Sequence, residues 1–316
     1  MTRRDFLSAA AACGAGMLTG CASGRAGGGT AGGDFSYDPK AGLHLPWAGL
    51  ERPVRLKLVT DTHLGLSDDR DADHRDHIAR MAQWPGKTAA FRASLDKAKA
   101  DGTDLIVLTG DNISFPTLAN VEFLKASLDA CGTPWIYVAG NHDWHFEGEA
   151  GSDLEQRARW TKARLKPLYQ GADPIMASRV VKGVRVVTID NSAYHVLPEQ
   201  VDFFRAEAAK GEPVVLAMHI PFWQPGWSVC TCACPTWGAA NDPYWQIERR
   251  ERWAETNLPS TLAFRETVLS TPNLVAVLAG HIHAFQAARD HGRNLFTGPA
   301  NSRGDVLNVT IDGNMP

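Results

Sequence analysis

The sequence contains no run of lysines or arginines, and its formal net charge is only −3. That lack excludes an extended basic groove for nucleic acid, and a basic face for a membrane surface, as its main business. No apolar stretch approaches the roughly 20 residues needed to cross a bilayer as a helix, so the body of the chain does not read as membrane-embedded. No internal repeat divides it. Charged residues at 21% and hydrophobic residues at 44% are ordinary globular values, which argues against disorder. At 316 residues there is material for one large domain or two small ones with a real core.

The first residues differ from the rest. Arg3 and Arg4 stand side by side before Phe6-Leu7 and an Ala- and Gly-rich stretch that ends Leu18-Thr19-Gly20-Cys21. A positive start, a short apolar region and small residues at its end are the parts of a signal peptide. The arginine pair resembles the twin-arginine export signal, and Leu-Thr-Gly-Cys resembles the lipobox of bacterial lipoproteins, whose Cys is lipidated. The expectation is a signal over residues 1–20 and a protein exported to the periplasm or cell envelope. It would touch the membrane only through a lipid anchor at Cys21. Residues 21–34, dominated by Gly24, Gly27, Gly28, Gly29, Gly32 and Gly33, read as a flexible tether. Cys131, Cys230, Cys232 and Cys234 then form an even set in a compartment where disulfides persist.

From about residue 35 to 316 the pattern is that of one domain. Val54–Thr60, Asp104–Thr109, Trp135–Ala139, Val184–Ile189, Pro213–Met218 and Leu274–Ala279 read as buried strands, rich in Val, Ile and Leu. Helices are expected over Lys87–Ala100, Leu118–Ala130, Asp153–Leu165, Glu199–Ala209 and Thr261–Leu269. Strand–helix alternation implies an α/β fold, and Asn294–Phe296 and Asp305–Ile311 add further β structure.

Five polar clusters each begin where one of these strands stops: Asp61-Thr62-His63, Gly110-Asp111-Asn112, Gly140-Asn141-His142-Asp143, Met218-His219 and Gly280-His281-Ile282-His283. Ligands of open α/β sheets collect at the carboxyl ends of strands. Five strands thus deliver Asp, Asn and His to one edge. Asp61/His63 and His281/His283 share an i, i+2 spacing, which in an extended segment puts both side chains on one face, able to grip one ion.

The order of these motifs, Asp-x-His, Gly-Asp, Gly-Asn-His-Asp, His and Gly-His-x-His, resembles the calcineurin-like metallophosphoesterase superfamily, over residues from about 55 to 285. The resemblance implies two packed mixed β-sheets with helices outside, an αββα sandwich. It implies one divalent ion held by Asp61, His63, Asp111 and His283, and a second held by Asn141, His219, His281 and the shared Asp111. The implied activity is hydrolysis of a small-molecule phosphoester by a metal-bridging hydroxide attacking in line. Two cations neutralise the anionic ester and lower the pKa of a bridging water. Imidazole, carboxylate and amide oxygen suit Mn, Fe or Zn, and the lack of thiolate argues against a structural zinc. His142 is not a ligand in the family pattern; it would stabilise the phosphoryl oxygens or protonate the leaving alkoxide, with Asp143 as its orienting carboxylate.

Protein Ser/Thr phosphatases carry Asp-Arg three residues after the bridging Asp, and purple acid phosphatases carry an iron-binding Tyr at the first of those positions. Here Ser114-Phe115 stand there. Asp-Thr-His-Leu-Gly and Met-His-Ile-Pro look more like bacterial phosphodiesterase-type branches, so a phosphodiesterase is preferred. The rivals are a phosphomonoesterase, such as a nucleotidase or phosphatase, and a lipoprotein that binds metal without chemistry. The charged segment Asp68–His77 reads as a solvated loop. Residues 222–256 read as an insertion crowded with Trp223, Trp227, Trp237, Trp245 and Trp253 and with three cysteines. It reads as a wall of the substrate pocket or as a satellite core stapled by disulfide, with a Cys-x-Cys-x-Cys metal clip at Cys230, Cys232 and Cys234 as a third option. Nothing in the sequence specifies an oligomeric state.

Overall fold

Strands that are apolar along their whole length need cover on both faces, and the structure provides it. A computed structural model of the protein describes residues 35–313, apart from 81–85, 147, 223, 225–226 and 228–257. The signal-like segment, the tether and nearly all of the Trp- and Cys-rich insertion lie outside the described residues. No helix among the described residues is long and apolar enough to cross a membrane.

Among the described residues twelve strands form two six-stranded sheets. The strands are β1 (Ser36–Asp38), β2 (Gly42–Pro46), β3 (Val54–Val59), β4 (Leu105–Thr109), β5 (Trp135–Val138), β6 (Met176–Val181), β7 (Val184–Ile189), β8 (Val214–Ala217), β9 (Leu274–Ala279), β10 (Gln286–Asp290), β11 (Arg293–Thr297) and β12 (Leu307–Asp312). The first sheet runs β1-β2-β12-β3-β4-β5 and the second β10-β11-β9-β8-β7-β6. β3, β4 and β5 are parallel neighbours in one; β7, β8 and β9 are parallel in the other. Antiparallel pairs at β1/β2, β12/β3, β6/β7 and β10/β11 make both sheets mixed.

Alternate residues of each strand enter different cores. Leu56, Leu58, Leu105 and Val107 meet Val186, Val215 and Ala217 between the sheets. Ile106 and Leu108 face outward onto helices Lys87–Ala100 and Leu118–Cys131. Val187, Val214 and Leu216 face outward onto Pro198–Ala208 and Pro259–Ser270. The result is the αββα sandwich, with each buried strand side chain contributing roughly 1.5–3 kcal/mol.

The six expected strands and five expected helices are present, with shifts at their ends that have local causes. Two helices start earlier than expected, at Pro198 and Pro259, because proline's fixed φ and missing N–H suit a first turn. The expected helix Asp153–Leu165 is α-helical to Trp160 and widens into a π-type turn over Thr161–Leu165. Its start is set by Ser152 and Glu155, which cap each other's backbone. β1, β2, β6 and β10 went unread because they are short or polar; β6 and β10 are partly exposed along nearly all their length.

Asp68–His77 is not a solvated loop throughout. It folds into a 3-10 turn, Asp69–His74, and then a helix, Arg75–Arg80. Asp71 is buried, accepting from the Leu118 N–H at 3.0 Å and from Arg164 at 3.2 Å, so it satisfies the start of the helix Leu118–Cys131 from a distance in sequence. His74 stacks on Phe146 with centroids 3.7 Å apart. Of the insertion's described residues, Phe222 and Trp227 pack against the outer core of the second sheet. Cys131 is a free, buried thiol whose S–H points at the Leu95 carbonyl at 3.3 Å, and not half of a disulfide. Cys230, Cys232 and Cys234 lie outside the described residues.

Candidate metal centre

Each polar cluster is delivered by a parallel strand ending at the same edge: β3 gives Asp61 and His63, β4 gives Asp111, β5 gives Asn141 and His142, β8 gives His219, and β9 gives His281 and His283. The structure brings all of them together. Asp61, His63 and His283 offer ligand atoms within 4.8 Å of one another, and so do Asp111, His219 and His281. His63 Nε2 and His283 Nε2 are 3.1 Å apart; His219 Nε2 is 3.1 Å from Asn141 Oδ1 and 3.2 Å from His281 Nδ1. The Asp111 Oδ2 atom stands between the two groups, 3.8 Å from His63 Nε2 and 3.3 Å from His219 Nε2.

The i, i+2 pairs do not converge in the way an extended segment would provide. Asp61, His63, His281 and His283 all adopt positive φ, at 53°, 51°, 72° and 56°, and Asp111 does so at 49°. Side chains other than glycine rarely adopt this region, and holding them there costs on the order of 1–3 kcal/mol each. Bonds across the loops sustain it. The His281 N–H donates to both Asp61 carboxylate oxygens at 3.0 and 3.1 Å, and the His142 N–H donates to Asp111 Oδ1 at 2.8 Å. Two glycines allow the loops to approach. A Cβ on Gly140 would collide with the Asp111 carboxylate and amide, and one on Gly280 with the Thr60 hydroxyl.

The groups fit divalent cations on their own chemistry. The His219 Nδ1–H donates to the Thr109 carbonyl at 2.7 Å, which turns Nε2 toward Asn141 Oδ1, Asp111 Oδ2 and His281 Nδ1. A carboxylate oxygen, an amide oxygen and ring nitrogens converging on one point make a donor set that suits a divalent cation. The field in the pocket agrees. Burial pushes the His219 imidazole down, but the carboxylates of Asp111 and Asp61 outweigh it and raise it to about 9. Burial would likewise raise Asp111, yet His219, His142 and His63 hold its carboxyl well below the usual range. At His63 burial, joined by the neighbouring imidazoles of His283 and His142, outweighs the pull of Asp111 and Asp61 and drives it well down, into the neutral form that ligates metal.

His142 sits beside both groups, its ring 5.1 Å from that of His63, and its nitrogen falls within reach of His63 and Asp111 as well. Asp143 is placed differently from the expectation. Its carboxylate accepts from the backbone N–H of Gly140 at 2.7 Å and of Ile113 at 2.9 Å, locking the β5 loop to the β4 loop instead of orienting His142. Burial and the charge of Asp111 push Asp143 up to about 7.

Sequence reasoning missed several residues that support the cluster. Lys87 and Ser114 both donate to the His63 carbonyl, at 2.8 and 3.1 Å, holding one of the left-handed residues from behind. Asp190-Asn191-Ser192 follows β7 directly and is the sixth polar cluster at a strand's carboxyl end. That placement was the signal that could have found it.

Carboxylate, amide and imidazole arriving from parallel strands of two sheets onto one cation-seeking pocket is the layout of an α/β metallohydrolase. A family model described as calcineurin-like phosphoesterase matches residues 54–285. The chain belongs to that family and is a metal-dependent phosphoesterase. It is 23% identical over 261 residues to a Psychrobacter arcticus protein named "probable cyclic nucleotide phosphodiesterase", covering 78% of this chain and 80% of that one. Among solved structures it resembles a dimetal phosphatase from Danio rerio, at 14% identity and a TM-score of 0.51, over 78% of this chain and 88% of that one. A purple acid phosphatase from yellow lupin seeds matches at 11% identity and a TM-score of 0.53, over 86% of this chain and 56% of that one. At such identities the two structures speak for the fold.

Proposed function

We propose that the protein hydrolyses phosphodiesters in preference to phosphomonoesters, with two divalent cations at this centre. The observation that carries the two-cation reading is the place of Asp111 Oδ2, between the His63 and His219 nitrogens. Asp61, His63 and His283 would hold one ion, Asn141, His219 and His281 the other, and Asp111 both. Bound there, Mn, Fe or Zn supplies Lewis acidity, neutralising the ester's charge and lowering the pKa of a coordinated water.

The chain's own groups set the rest. Thr109 fixes the His219 tautomer, and the Asp61 carboxylate fixes the loop that carries His281. His142, at the rim of both groups, is placed to bond a phosphoryl oxygen or to give a proton to the leaving alkoxide, worth roughly 10²–10⁴ in rate. Asp143 acts through the loop, by keeping the Asn141–His142 turn seated on the Asp111 turn.

The diester preference is supported by Ser114 and Phe115. Ser114 is engaged with the His63 carbonyl, and Phe115 is buried in the outer core of the first sheet. They stand where the protein Ser/Thr phosphatases carry Asp-Arg, so the chain departs from that monoesterase branch at these two positions. The name of the Psychrobacter relative points to cyclic nucleotides as the diesters to try first. The test compares bis-p-nitrophenyl phosphate, p-nitrophenyl phosphate and cyclic nucleotides on purified protein with added Mn. Faster turnover of the diesters is expected. Faster turnover of the monoester would make the protein a phosphomonoesterase, and no turnover with metal bound would make it a binding protein. Export and lipid anchoring at Cys21 belong to the same reading and rest on Arg3-Arg4 and on the sequence around Cys21.

A further inference from the structure

Beyond the last residue of β8 the chain keeps its β9 neighbour, the Met218 N–H donating to the Leu278 carbonyl at 3.1 Å and the Gly280 N–H to the His219 carbonyl at 2.9 Å, but on the other side His219 and Ile220 lose the partner that β7 supplied up to Thr188 and Ala217. Asn191 takes over that role. Its Oδ1 accepts from the His219 N–H at 3.2 Å and the Ile220 N–H at 3.0 Å, and its Nδ2 donates to the Ile220 carbonyl at 2.7 Å. The side-chain amide thus behaves as a surrogate peptide group, extending the parallel pairing past the edge of the sheet to the residue that carries the imidazole. All of this is buried.

The residues on either side of Asn191 reach the opposite arm. Asp190 Oδ1 accepts from the Ser192 N–H at 2.8 Å and the Ser192 hydroxyl at 2.5 Å, and pairs with the buried Arg157 at 3.5 Å. The Ser192 hydroxyl in turn accepts from the indole N–H of Trp144 at 2.8 Å. Trp144 closes the turn that contains Asn141 and His142. One three-residue loop is therefore fastened to two arms of the pocket, the His219 arm through Asn191 and the Asn141–His142 arm through Ser192. Both of the ligands concerned belong to the second group. The Asp61/His63/His283 group has other supports, in Lys87, Ser114 and the Asp61–His281 bonds.

We infer that Asp190-Asn191-Ser192 is a positioning triad that sets the distance between His219 and Asn141, and so governs occupancy of the second cation site selectively. This rests on the two-cation reading above. Removing the Asn191 amide leaves two buried N–H groups and a carbonyl without partners, so the His219 loop shifts to regain them. Partners outside the first ligand shell act on metal affinity in the range of about 10–100-fold.

The test is a Mn titration of metal-stripped full-length protein, followed by calorimetry and by electron paramagnetic resonance. Wild type is expected to bind two ions and show the exchange-coupled spectrum of a pair. N191A should bind the first ion as before and the second about 10–100-fold more weakly, showing an isolated-ion spectrum at sub-saturating Mn. N191D keeps the accepting oxygen but not the donor, and should lie between. S192A, which cuts only the Trp144 link, should weaken the second ion less and should carry the test if N191A does not fold. Two ions of unchanged affinity in both N191A and S192A, or equal weakening of both ions, would overturn the triad alone. A wild type that binds a single ion would overturn the two-cation reading and the triad with it.

Discussion

Five residues of the metal centre, Asp61, His63, Asp111, His281 and His283, hold backbone conformations that their side chains disfavour. Strain of this kind persists where surrounding bonds over-determine it, and here the bonds run between the loops that carry the ligands. Asp111 is the residue that the two proposed cation sites would share. Asp111→Ala is expected to lose both ions and all turnover, because it removes one donor from each site; elemental analysis together with a diesterase assay checks this. His142→Ala makes the opposite prediction. It should retain its ions while turnover falls roughly 10²–10⁴-fold, and the loss should shrink on esters with good leaving groups if His142 donates the proton. Loss of metal from that variant would make His142 a ligand. At this scale the identities of the site residues were legible, because Asp, Asn and His at the ends of apolar runs are conspicuous. Their backbone conformations were not: an i, i+2 spacing looks the same whether the segment is extended or doubly left-handed.

At the scale of elements, strands buried on both faces were legible from composition, since β4, β7, β8 and β9 have no polar face to disguise them. β6 and β10 were not, because edge strands carry the polar and charged residues that loops also carry. The segment Asp68–His77 failed to read for the same reason; its charges include Asp71, which is buried as the partner of Leu118 and Arg164. Asp71→Ala should lower stability by about 1–3 kcal/mol, through loss of a helix-start acceptor and an unpaired Arg164, with the diester rate of the folded fraction unchanged. Thermal melting beside an activity assay reads both; an unchanged melting temperature would mean that Asp71 supports nothing. Gly280→Ala tests the approach of the β9 and β3 loops. The added Cβ meets the Thr60 hydroxyl, so the Asp61–His281 bonds should break and ion affinity should fall while the sheets stay folded. Unaltered metal content in that variant would show that the loops can part without cost to the site.

At the scale of the whole molecule, the two sheets make one pocket because their parallel strands end at a common edge, and neither sheet holds a complete set of ligands. The N-terminal segment adds a question of place. Arg3→Lys with Arg4→Lys should strand the precursor in the cytoplasm, and Cys21→Ala should release the mature protein from membranes, as fractionation would show; wild-type protein found wholly soluble in the cytoplasm would refute the export reading. The division of labour between sheets returns to the pair of cations. The measurement that tests it most directly is the number of divalent transition ions per chain in purified protein, read beside diesterase turnover during stepwise chelation and Mn reconstitution. Close to two ions are expected, with turnover that vanishes as they are withdrawn and recovery that follows the second ion. Full turnover with one ion, or with none in the presence of chelator, would contradict the two-cation reading.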